Sequence, residues 1–476
     1  MGSKFKNVSL VGLGVVAGIA ASMQFSAIAQ RPVGPAIPVE QLHQLANVYG
    51  LIKSDYVESV DDRKLLTEAI NGMVASLDPH SAFLDQKAYR ELREGTQGRF
   101  VGLGIEVGEG EDGYLRIVAP IEGSPADLAG LKAGDLIASI DSVPIRGMPP
   151  LEAIKKIRGE PNSTVVLSVL RAGEPGPLTF TLKRQEIVQK SVKAKIVEPG
   201  YAWLRISQFQ EPTVDDLAAK LLALHRQEPA LKGLVLDLRN DPGGLLQGAI
   251  GVAAAFLPPN AHIVSTNGQL ADSRQQYLAR PEFYVLSGDG DPLARVPAAF
   301  KRLPMVVLVN SGSASASEIV AGALQDHRRA VIMGSRTFGK GSVQTVRPLV
   351  NDTAVKLTTA RYYTPSGRSI QARGIVPDLP VDETLEGDGA NGLRLRESDL
   401  AHHLSNERGD AVTEVRASAE QQLALYLEQR KRKPLEYGAP DDFQLAQAIR
   451  HLKGESVALS ATATRTAALR GSPGGH

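Results

Sequence analysis

The sequence predicts a multidomain α+β protein in which a β-rich domain is inserted between an N-terminal helical region and an α/β core, with C-terminal helices. Three observations lead to this prediction. Apolar residues between positions 42 and 77 recur at three- and four-residue steps, which indicates helices. Residues 100–184 contain short strand-like runs with frequent glycine. Between about residues 187 and 378, apolar runs alternate with helical stretches, as in βαβ units of a largely parallel sheet.

The composition sets limits on the class of protein. The chain has 476 residues, which suggests roughly two to four domains. Hydrophobic residues make up 43% and charged residues 22%, as in ordinary globular proteins. The net charge of +1 gives no sign of a nucleic-acid binder. The absence of cysteine excludes disulfides, a cysteine nucleophile and thiolate metal sites.

Residues 1–29 have the pattern of an export signal. Lys4 and Lys6 precede an apolar stretch, residues 8–21, and Ala-Ile-Ala at 27–29 is typical of a cleavage site. The apolar stretch is shorter than the roughly 20 residues that a spanning helix needs. We therefore favour a cleaved signal peptide over a retained membrane anchor, with both open, and expect an exported, periplasmic protein.

The N-terminal helical region is assigned to residues 38–97. Its two helices carry apolar side chains on one face each. They are interpreted either as a local hairpin or as a dimerisation arm, and the sequence leaves both open. The apolar positions are Leu42, Leu45, Val48, Tyr49 and Ile52 in the first helix, and Leu65, Leu66, Ala69, Ile70, Met73, Val74 and Leu77 in the second.

The β-rich domain is assigned to residues 98–186. Its clearest strands are Tyr114–Val118, Leu136–Ile140 and Thr164–Leu170, and Leu151–Ile157 is predicted as an amphipathic helix.

The α/β core is assigned to residues 187–380. Buried strands are predicted at residues 233–238, Met305–Val309 and Ala330–Met333, because each is a continuous apolar run. Helices are predicted at Leu245–Phe256 and after residue 315.

The C-terminal region is assigned to residues 381–476. It contains a loose acidic loop at Glu383–Gly392, helices at Glu414–Lys433 and Asp441–Leu452, and a disordered tail from Ala461.

A serine-rich turn, residues 310–319 (Asn-Ser-Gly-Ser-Ala-Ser-Ala-Ser-Glu-Ile), lies between a buried strand and a helix. Such turns lie at the sheet edge where the sites of open α/β folds gather. Ser315 and Glu318 also have capping-box spacing. The sequence is therefore compatible with helix capping, with a nucleophile at Ser315, or with both.

A serine nucleophile needs a base. His327 follows the predicted helix and has no obvious partner, and the other histidines, interpreted as surface residues, lie in no comparable motif. Lys340 offers an alternative, because burial lowers the pKa of an amine toward neutrality. Residues 334–340 nearly form a phosphate-binding loop, but Gly341 replaces the required serine or threonine. Nucleotide binding is therefore disfavoured.

A second turn, residues 237–244 (Asp-Leu-Arg-Asn-Asp-Pro-Gly-Gly), also follows a buried strand. Paired glycines can expose main-chain N–H groups, as an oxyanion hole requires. A tight turn that needs positive φ is the alternative. Asp237 and Asp241 have no companion ligands, so no metal site is predicted.

Together these motifs closely resemble the carboxyl-terminal processing peptidases, which are PDZ-containing serine endopeptidases with a Ser–Lys pair. The resemblance rests on residues 313–319, 339–344 and 237–244, and it extends from about residue 39 to residue 378. It also includes Leu-Asp-Pro-His-Ser-Ala-Phe at 77–83 and Gly-Ile-Val-Pro-Asp at 374–378. The 25-residue separation of serine and lysine makes the match specific.

The resemblance assigns roles to individual residues. It makes Ser315 the nucleophile, Lys340 the general base and Gln344 the residue that orients the lysine. Main-chain N–H groups of Gly244 and Ala316 would form the oxyanion hole. Gly243 is an open alternative to Gly244.

The same resemblance implies that residues 98–186 form a PDZ domain inserted before a crotonase/ClpP-like protease core. Its carboxylate-binding loop would lie at Gly102, Leu103, Gly104 and Ile105. In such domains N–H groups of a glycine-rich loop hold a terminal carboxylate while the peptide adds a strand to a sheet edge.

The implied function is cleavage of protein substrates near their C-termini after the PDZ domain recognises the tail, by an acyl-enzyme mechanism without metal or cofactor. The implied partners are proteins with accessible C-terminal tails and an activating adaptor protein. The terminal helices allow a homodimer, and residues 1–29 allow membrane association. Arg171 is a candidate for coupling PDZ domain to protease. A non-catalytic PDZ scaffold on an inactive protease core is the main rival, which the presence of Ser315, Lys340 and Gln344 disfavours.

Overall fold

A computed structural model describes residues 38–110, 113–121, 123–286, 288, 290–384, 387, 395–407, 409 and 435–459. The predicted signal segment, the predicted helix Glu414–Lys433 and the predicted tail from Ala461 lie outside these residues. The chain divides into two units, Met1–Ile70 and Asn71–His476.

Two N-terminal helices, α1 (Val39–Asp55) and α2 (Asp62–Ala75), confirm the predicted periodicity. Neither helix buries a side chain, and Leu42 and Leu66 are among their exposed apolar residues. The choice between a hairpin and a dimerisation arm therefore stays open. Lys53 pairs with Asp62 at 2.6 Å, but an exposed pair contributes little to stability.

The β-rich domain is built around an antiparallel sheet with the strand order β3-β4-β5-β7-β8, and β6 pairs with β5. β2 and β9 form a separate two-stranded ribbon where the chain enters and leaves the domain. The domain has its own apolar core, which includes Leu103, Ile137 and Leu167. The elements are β2 (Arg99–Gly102), β3 (Ile105–Glu109), β4 (Leu115–Pro120), α4 (Pro125–Leu128), β5 (Leu136–Ile140), β6 (Val143–Pro144), α5 (Pro150–Ile157), β7 (Thr164–Leu170), β8 (Leu178–Lys183) and β9 (Gln185–Val188).

The core is centred on a six-stranded sheet with the order β10-β11-β12-β15-β16-β19. The strands from β11 onward pair in parallel, and β10 is antiparallel. The elements are β10 (Val192–Glu198), β11 (Tyr201–Ile206), α6 (Thr213–Gln227), β12 (Gly233–Asp237), α7 (Leu246–Phe256), β15 (Met305–Val309), α8 (Ala316–Asp326), β16 (Val331–Gly334), β19 (Leu379–Pro380) and α9 (Phe443–Leu452).

Both faces of this sheet are covered, which explains the uninterrupted apolar runs of its strands. Side chains alternate between the two faces. Leu234 and Leu236 pack with α6, α7 and α8 on one face. Val235 and its neighbours pack with Leu445 and Ile449 of α9 on the other face. The C-terminal helix therefore completes the core.

A second, five-stranded antiparallel sheet has the order β1-β18-β13-β14, and β17 pairs with β18. Its hairpin of β17 and β18 follows Lys340 directly. The elements are β1 (Ala82–Leu84), α3 (Gln86–Gln97), β13 (His262–Gly268), β14 (Gln275–Leu278), β17 (Ser342–Pro348) and β18 (Ala354–Tyr363).

The predicted fold class is confirmed, and the domain boundaries stay predictions. The interpretation of Glu383 as part of a loose loop is wrong, because its side chain is buried and accepts hydrogen bonds from Asn310 and Tyr437 where the C-terminal segment folds back over this side of the core. Residues 385–386 and 388–392 of that predicted loop lie outside the described residues. No helix among the described residues has the length and apolarity needed to cross a bilayer.

Candidate active site

The serine-rich turn joins β15 to α8 at the carboxyl edge of the parallel sheet. Ser315 is the N-cap residue of α8 and has φ 55° and ψ −111°. Positive φ is uncommon for a residue with a side chain and costs about 1–3 kcal/mol. Such strain is typical of functional turns, where surrounding contacts hold the residue in place.

Glu318 provides those contacts from inside the protein. Its buried carboxylate accepts the main-chain N–H of Ser315 at 2.8 Å and that of Lys340 at 2.9 Å on the same oxygen, Oε2. Its other oxygen accepts the Gly339 N–H at 2.8 Å and the Thr337 hydroxyl at 2.5 Å. The predicted capping spacing is therefore used, and it also fastens the serine turn to the lysine loop.

Burial raises the pKa of Glu318 to about 7, although its hydrogen bonds from Thr337 and three main-chain groups favour the ionised form. The four donors match the acceptor-only character of a carboxylate. A proton on Glu318 would leave one of these donors facing another donor.

Lys340 lies in the loop between β16 and β17. Burial lowers the pKa of its amine to about 8, and the nearby charge of Lys356 acts in the same direction. Glu397, Glu318 and Asp78 oppose this effect. A lysine with this pKa is partly neutral near pH 8 and is able to accept a proton.

Tyr362 of β18 contacts both the serine turn and the lysine loop. Its buried hydroxyl donates a hydrogen bond to the main-chain oxygen of Lys340. It also lies within hydrogen-bonding reach of the Ser315 side chain. Among the described residues, no direct hydrogen bond joins the Ser315 hydroxyl to the Lys340 amine.

The oxyanion turn packs against the serine turn. The main-chain oxygen of Asp241 accepts the Ala314 N–H at 3.0 Å and the Ser317 hydroxyl at 2.9 Å. Gly243 and Gly244 both have positive φ. A Cβ on Gly244 would lie 2.0 Å from the main-chain oxygen of Phe209, so only glycine fits there.

The hydrogen bonds of this turn distinguish Gly243 from Gly244 as candidate donors to an oxyanion. The Gly243 N–H donates to the Asp241 carboxylate at 2.9 Å. Within the part of the chain that the structure describes, no acceptor takes the N–H of Gly244 or of Ala316. This favours Gly244 over Gly243 as the partner of Ala316 in an oxyanion hole.

Comparison with known proteins places this site in a family. Residues 200–381 match the model of peptidase family S41, residues 116–171 match a PDZ domain, and residues 18–88 match the activating protease CtpB N-terminal domain. A carboxy-terminal-processing protease of Bartonella bacilliformis is 43% identical over 372 residues, which cover 78% of this chain and 82% of that protein. The chain belongs to the carboxy-terminal-processing protease family. It is therefore a serine endopeptidase.

Two further proteins are similar to this chain. A CtpA-like serine protease of Staphylococcus aureus is 35% identical over 72% of this chain and 65% of its own length. The solved structure of a photosystem II D1 C-terminal processing protease is 32% identical, covers 71% of this chain and 85% of its own, and has a TM-score of 0.40.

Gln344 of the protease lies on β17, four residues after the lysine. Its side-chain amide donates to the hydroxyls of Ser342 at 3.0 Å and Thr358 at 3.3 Å. These bonds hold Gln344 within the hairpin and do not reach the lysine amine. The role of Gln344 in orienting Lys340 stays a prediction.

The predicted carboxylate-binding loop of the PDZ domain joins β2 to β3. The Leu103 and Gly104 oxygens accept hydrogen bonds from the Ala126 and Ile121 N–H groups. A Cβ on Gly104 would lie 2.2 Å from Ser124 Cβ. Among the described residues, no acceptor takes the N–H of Leu103 or of Gly104, and β3 is an edge strand.

The structure places Gly102 at the end of β2 and Ile105 at the start of β3. Both predicted peptide-binding residues therefore flank the loop on paired strands. Arg171, the candidate coupling residue, forms a two-point pair with Asp135 at 2.8 and 2.7 Å and donates to the Gly130 oxygen at 2.9 Å. These contacts keep Arg171 within the PDZ domain.

Sequence reasoning missed several neighbours of the lysine. His80 was interpreted as a surface residue, but it is largely buried, and its Nε2 lies 2.7 Å from Oε2 of the buried Glu397. Asp78 accepts two main-chain N–H groups and the hydroxyls of Ser81 and Thr358. The only available signal was the unusual Asp-Pro-His-Ser run itself. Within the described ranges, no three His, Cys, Asp or Glu side chains cluster as metal ligands would.

Proposed function

We propose that the protease cleaves protein substrates near their C-termini, after its PDZ domain binds the C-terminal tail, with Ser315 as nucleophile and Lys340 as general base. One observation carries this proposal. The main-chain nitrogens of Ser315 and Lys340 lie on either side of a single oxygen atom of the buried Glu318. This contact holds the two residues close together although 25 positions separate them in the sequence.

The proposed reaction begins when neutral Lys340 removes the proton from the Ser315 hydroxyl as its oxygen attacks a peptide carbonyl. The carbonyl oxygen becomes an oxyanion, which the N–H groups of Gly244 and Ala316 stabilise. Collapse of this intermediate breaks the C–N bond, and protonated Lys340 returns its proton to the leaving amine. Water, deprotonated by Lys340, then attacks the ester. The C–O bond to Ser315 breaks, Lys340 returns the proton to the serine oxygen, and the new C-terminus is released.

The absence of a direct hydrogen bond between Ser315 and Lys340 is compatible with this role. Catalytic hydrogen bonds are often long or misaligned until substrate binds. A rotation of the Ser315 side chain from the Tyr362 hydroxyl toward the lysine amine would complete the pair.

Tail recognition is supported by the loop between β2 and β3. Its main-chain donors at Leu103 and Gly104 suit a terminal carboxylate, and the free edge of β3 suits an added peptide strand. We also propose export to the periplasm from the pattern of residues 1–29. A mature protein recovered from the cytoplasm with Met1 intact would contradict export.

The test is cleavage of an unstructured protein with a free C-terminus by wild type, Ser315→Ala and Lys340→Ala. We expect both variants to lose activity by at least about a thousandfold, because each lacks one half of the acyl-transfer pair. Blocking the substrate's C-terminus as an amide should lower wild-type cleavage. Full activity in Ser315→Ala would refute the mechanism, and equal cleavage of both substrates would refute tail recognition.

A further inference from the structure

The C-terminal segment Leu435–Asp442, far from the active site in sequence, lies beneath the serine and oxyanion turns. The Arg239 guanidinium binds both carboxylate oxygens of Asp442, at 3.0 and 2.6 Å. It also binds Asp237 at 2.9 and 2.7 Å. All three side chains are buried, so the pairs are shielded from solvent.

Tyr437 is the residue of this segment that reaches both turns. The centre of its ring lies 4.1 Å from the Arg239 guanidinium carbon and 4.6 Å from that of Arg205. These cation–π contacts fix the ring. Its hydroxyl accepts a hydrogen bond from the Asn240 amide at 2.8 Å and donates to Glu383 at 3.2 Å.

The Asn310 amide also donates to the Tyr437 hydroxyl, at 3.4 Å, so this hydroxyl contacts one asparagine in each of the two turns. Asn240 has φ 55° and lies in the oxyanion turn. Asn310 opens the serine turn, and its side-chain oxygen accepts the N–H groups of Asn240 at 2.9 Å and Gly312 at 3.0 Å. Its amide donates to Asn240 at 2.9 Å and to Glu383 at 2.5 Å. Each turn is therefore oriented partly by the other.

We propose that Tyr437 is a positioning residue for the protease reaction. Its hydroxyl fixes the two asparagines, and through them the relative placement of the Gly244 N–H and the Ser315–Ala316 segment. This inference rests on the proposed oxyanion hole and nucleophile. The hydroxyl is bonded to Asn240, Asn310 and Glu383, so we expect its removal to affect the developing oxyanion and to leave ground-state peptide binding unchanged.

The test compares Tyr437→Phe with wild type in the full chain. The variant keeps the ring and its contacts with Arg239 and Arg205 and loses only the hydroxyl. We expect kcat for a peptide substrate to fall roughly three- to tenfold, the range for one lost hydrogen bond, with KM unchanged. The inhibition constant of a peptide aldehyde, whose adduct carries an oxygen in the oxyanion hole, should rise by the same factor.

Tyr201→Phe is the matched control. Tyr201 belongs to the apolar cluster against which Tyr437 packs, and among the described residues its hydroxyl makes no hydrogen bond. We expect its kcat and aldehyde inhibition to equal those of wild type. Wild-type values in Tyr437→Phe, or an equal loss in both variants, would overturn the proposal.

Asp442→Asn is a second test, since it weakens the Arg239 pair. We expect a lower kcat with unchanged KM, together with a lower melting temperature; an unchanged kcat in the folded variant would count against the proposal. Ser315→Ala, assayed in parallel, distinguishes failure of the proposed function from failure of the proposed role of Tyr437. Activity in Ser315→Ala would refute the proposed function, whereas wild-type behaviour of Tyr437→Phe with an inactive Ser315→Ala would refute only the role of Tyr437.

Discussion

Two buried carboxylates of the protease core, Glu318 and Asp237, are satisfied in different ways. Among the described residues, the donors to Glu318 are all neutral, namely three main-chain N–H groups and one hydroxyl. Asp237 is paired with the guanidinium groups of Arg239 and Arg205 and also accepts the Trp203 indole N–H. Both side chains are completely buried, so the difference lies in the charge of their partners.

The pKa values follow from that difference. Burial raises the pKa of Glu318 to about 7, because neutral donors offset only part of the desolvation. Burial also acts to raise the pKa of Asp237, but Arg239 and Arg205 outweigh it and hold that pKa below its ordinary value. The carboxylate that fastens the catalytic turns is therefore sensitive to pH near neutrality, whereas the carboxylate beneath them stays ionised.

The largest expected effect concerns Arg239 and the two buried carboxylates that it binds. Arg239→Met removes the cation between Asp237 and Asp442 and leaves two buried carboxylates without their main partner. The free energy of unfolding should fall by about 3–5 kcal/mol, the typical loss when one partner of a buried pair is removed. Urea denaturation at pH 7 would measure it.

Arg99→Met is the matched control, because Arg99 pairs with Glu186 on the surface. Its loss should change stability by less than about 1 kcal/mol. Equal losses in the two variants would show that the buried charges are not the source of the stability.

Substitution of Glu318, whose hydrogen-bond donors are neutral, should lower the activity. Glu318→Gln keeps the size of the side chain but replaces one acceptor oxygen with an NH₂ group, which then faces N–H donors of Ser315 and Lys340 or of Gly339. We expect kcat/KM to fall about a hundredfold, since each unsatisfied buried donor costs about 1–3 kcal/mol.

Glu186→Gln, an exposed substitution of the same chemistry, should keep wild-type kcat/KM. If Glu318→Gln were folded and fully active, Glu318 could not be the residue that fastens the two catalytic turns together.

The third prediction is a pH dependence of wild-type activity. Lys340 must be neutral to accept a proton, so kcat/KM should rise about tenfold per pH unit up to the lysine pKa of about 8 and then level off. Below about pH 7 the protonation of Glu318 should steepen the decline. The measurement is kcat/KM at intervals of about half a pH unit, from about pH 5.5 to about pH 9.5.

The same shift in the pKa of Lys340 predicts that stability rises with pH above the range in which kcat/KM rises. The pKa of Lys340 is lower in the folded chain than the ordinary value of 10.5, so the unfolded chain binds more protons between about pH 8 and 10.5 and stability rises with pH there. A kcat/KM that is flat from pH 6 to 9 would contradict the assignment of Lys340 as the base.

Much of the fold could be predicted because it depends on local patterns. The apolar runs of β12 and β15 reflect a sheet that is covered on both faces, and the turns after them contain the residues of the site. Resemblance then supplied roles for Ser315 and Lys340 that periodicity alone left open.

Other features could not be predicted, because they depend on long-range contacts. Glu318 has the sequence pattern of a simple capping residue, and only the folded structure brings Lys340 to the same oxygen. Asp442 lies 203 positions from Arg239, and no local pattern indicates that pair. Tyr362 is one of many aromatic residues in strands, so nothing in the sequence singles out its hydroxyl.

The ribbon of β2 and β9 has a consequence for the architecture of the chain. Gly102 and Gln185 are register partners, so their Cα atoms lie about 5 Å apart, as paired residues in antiparallel strands do. The PDZ domain is thus an insertion whose first and last residues lie side by side. Its removal would leave two ends that a short hairpin turn could join, so genetic gain or loss of such a module would require no rebuilding of the catalytic sheet.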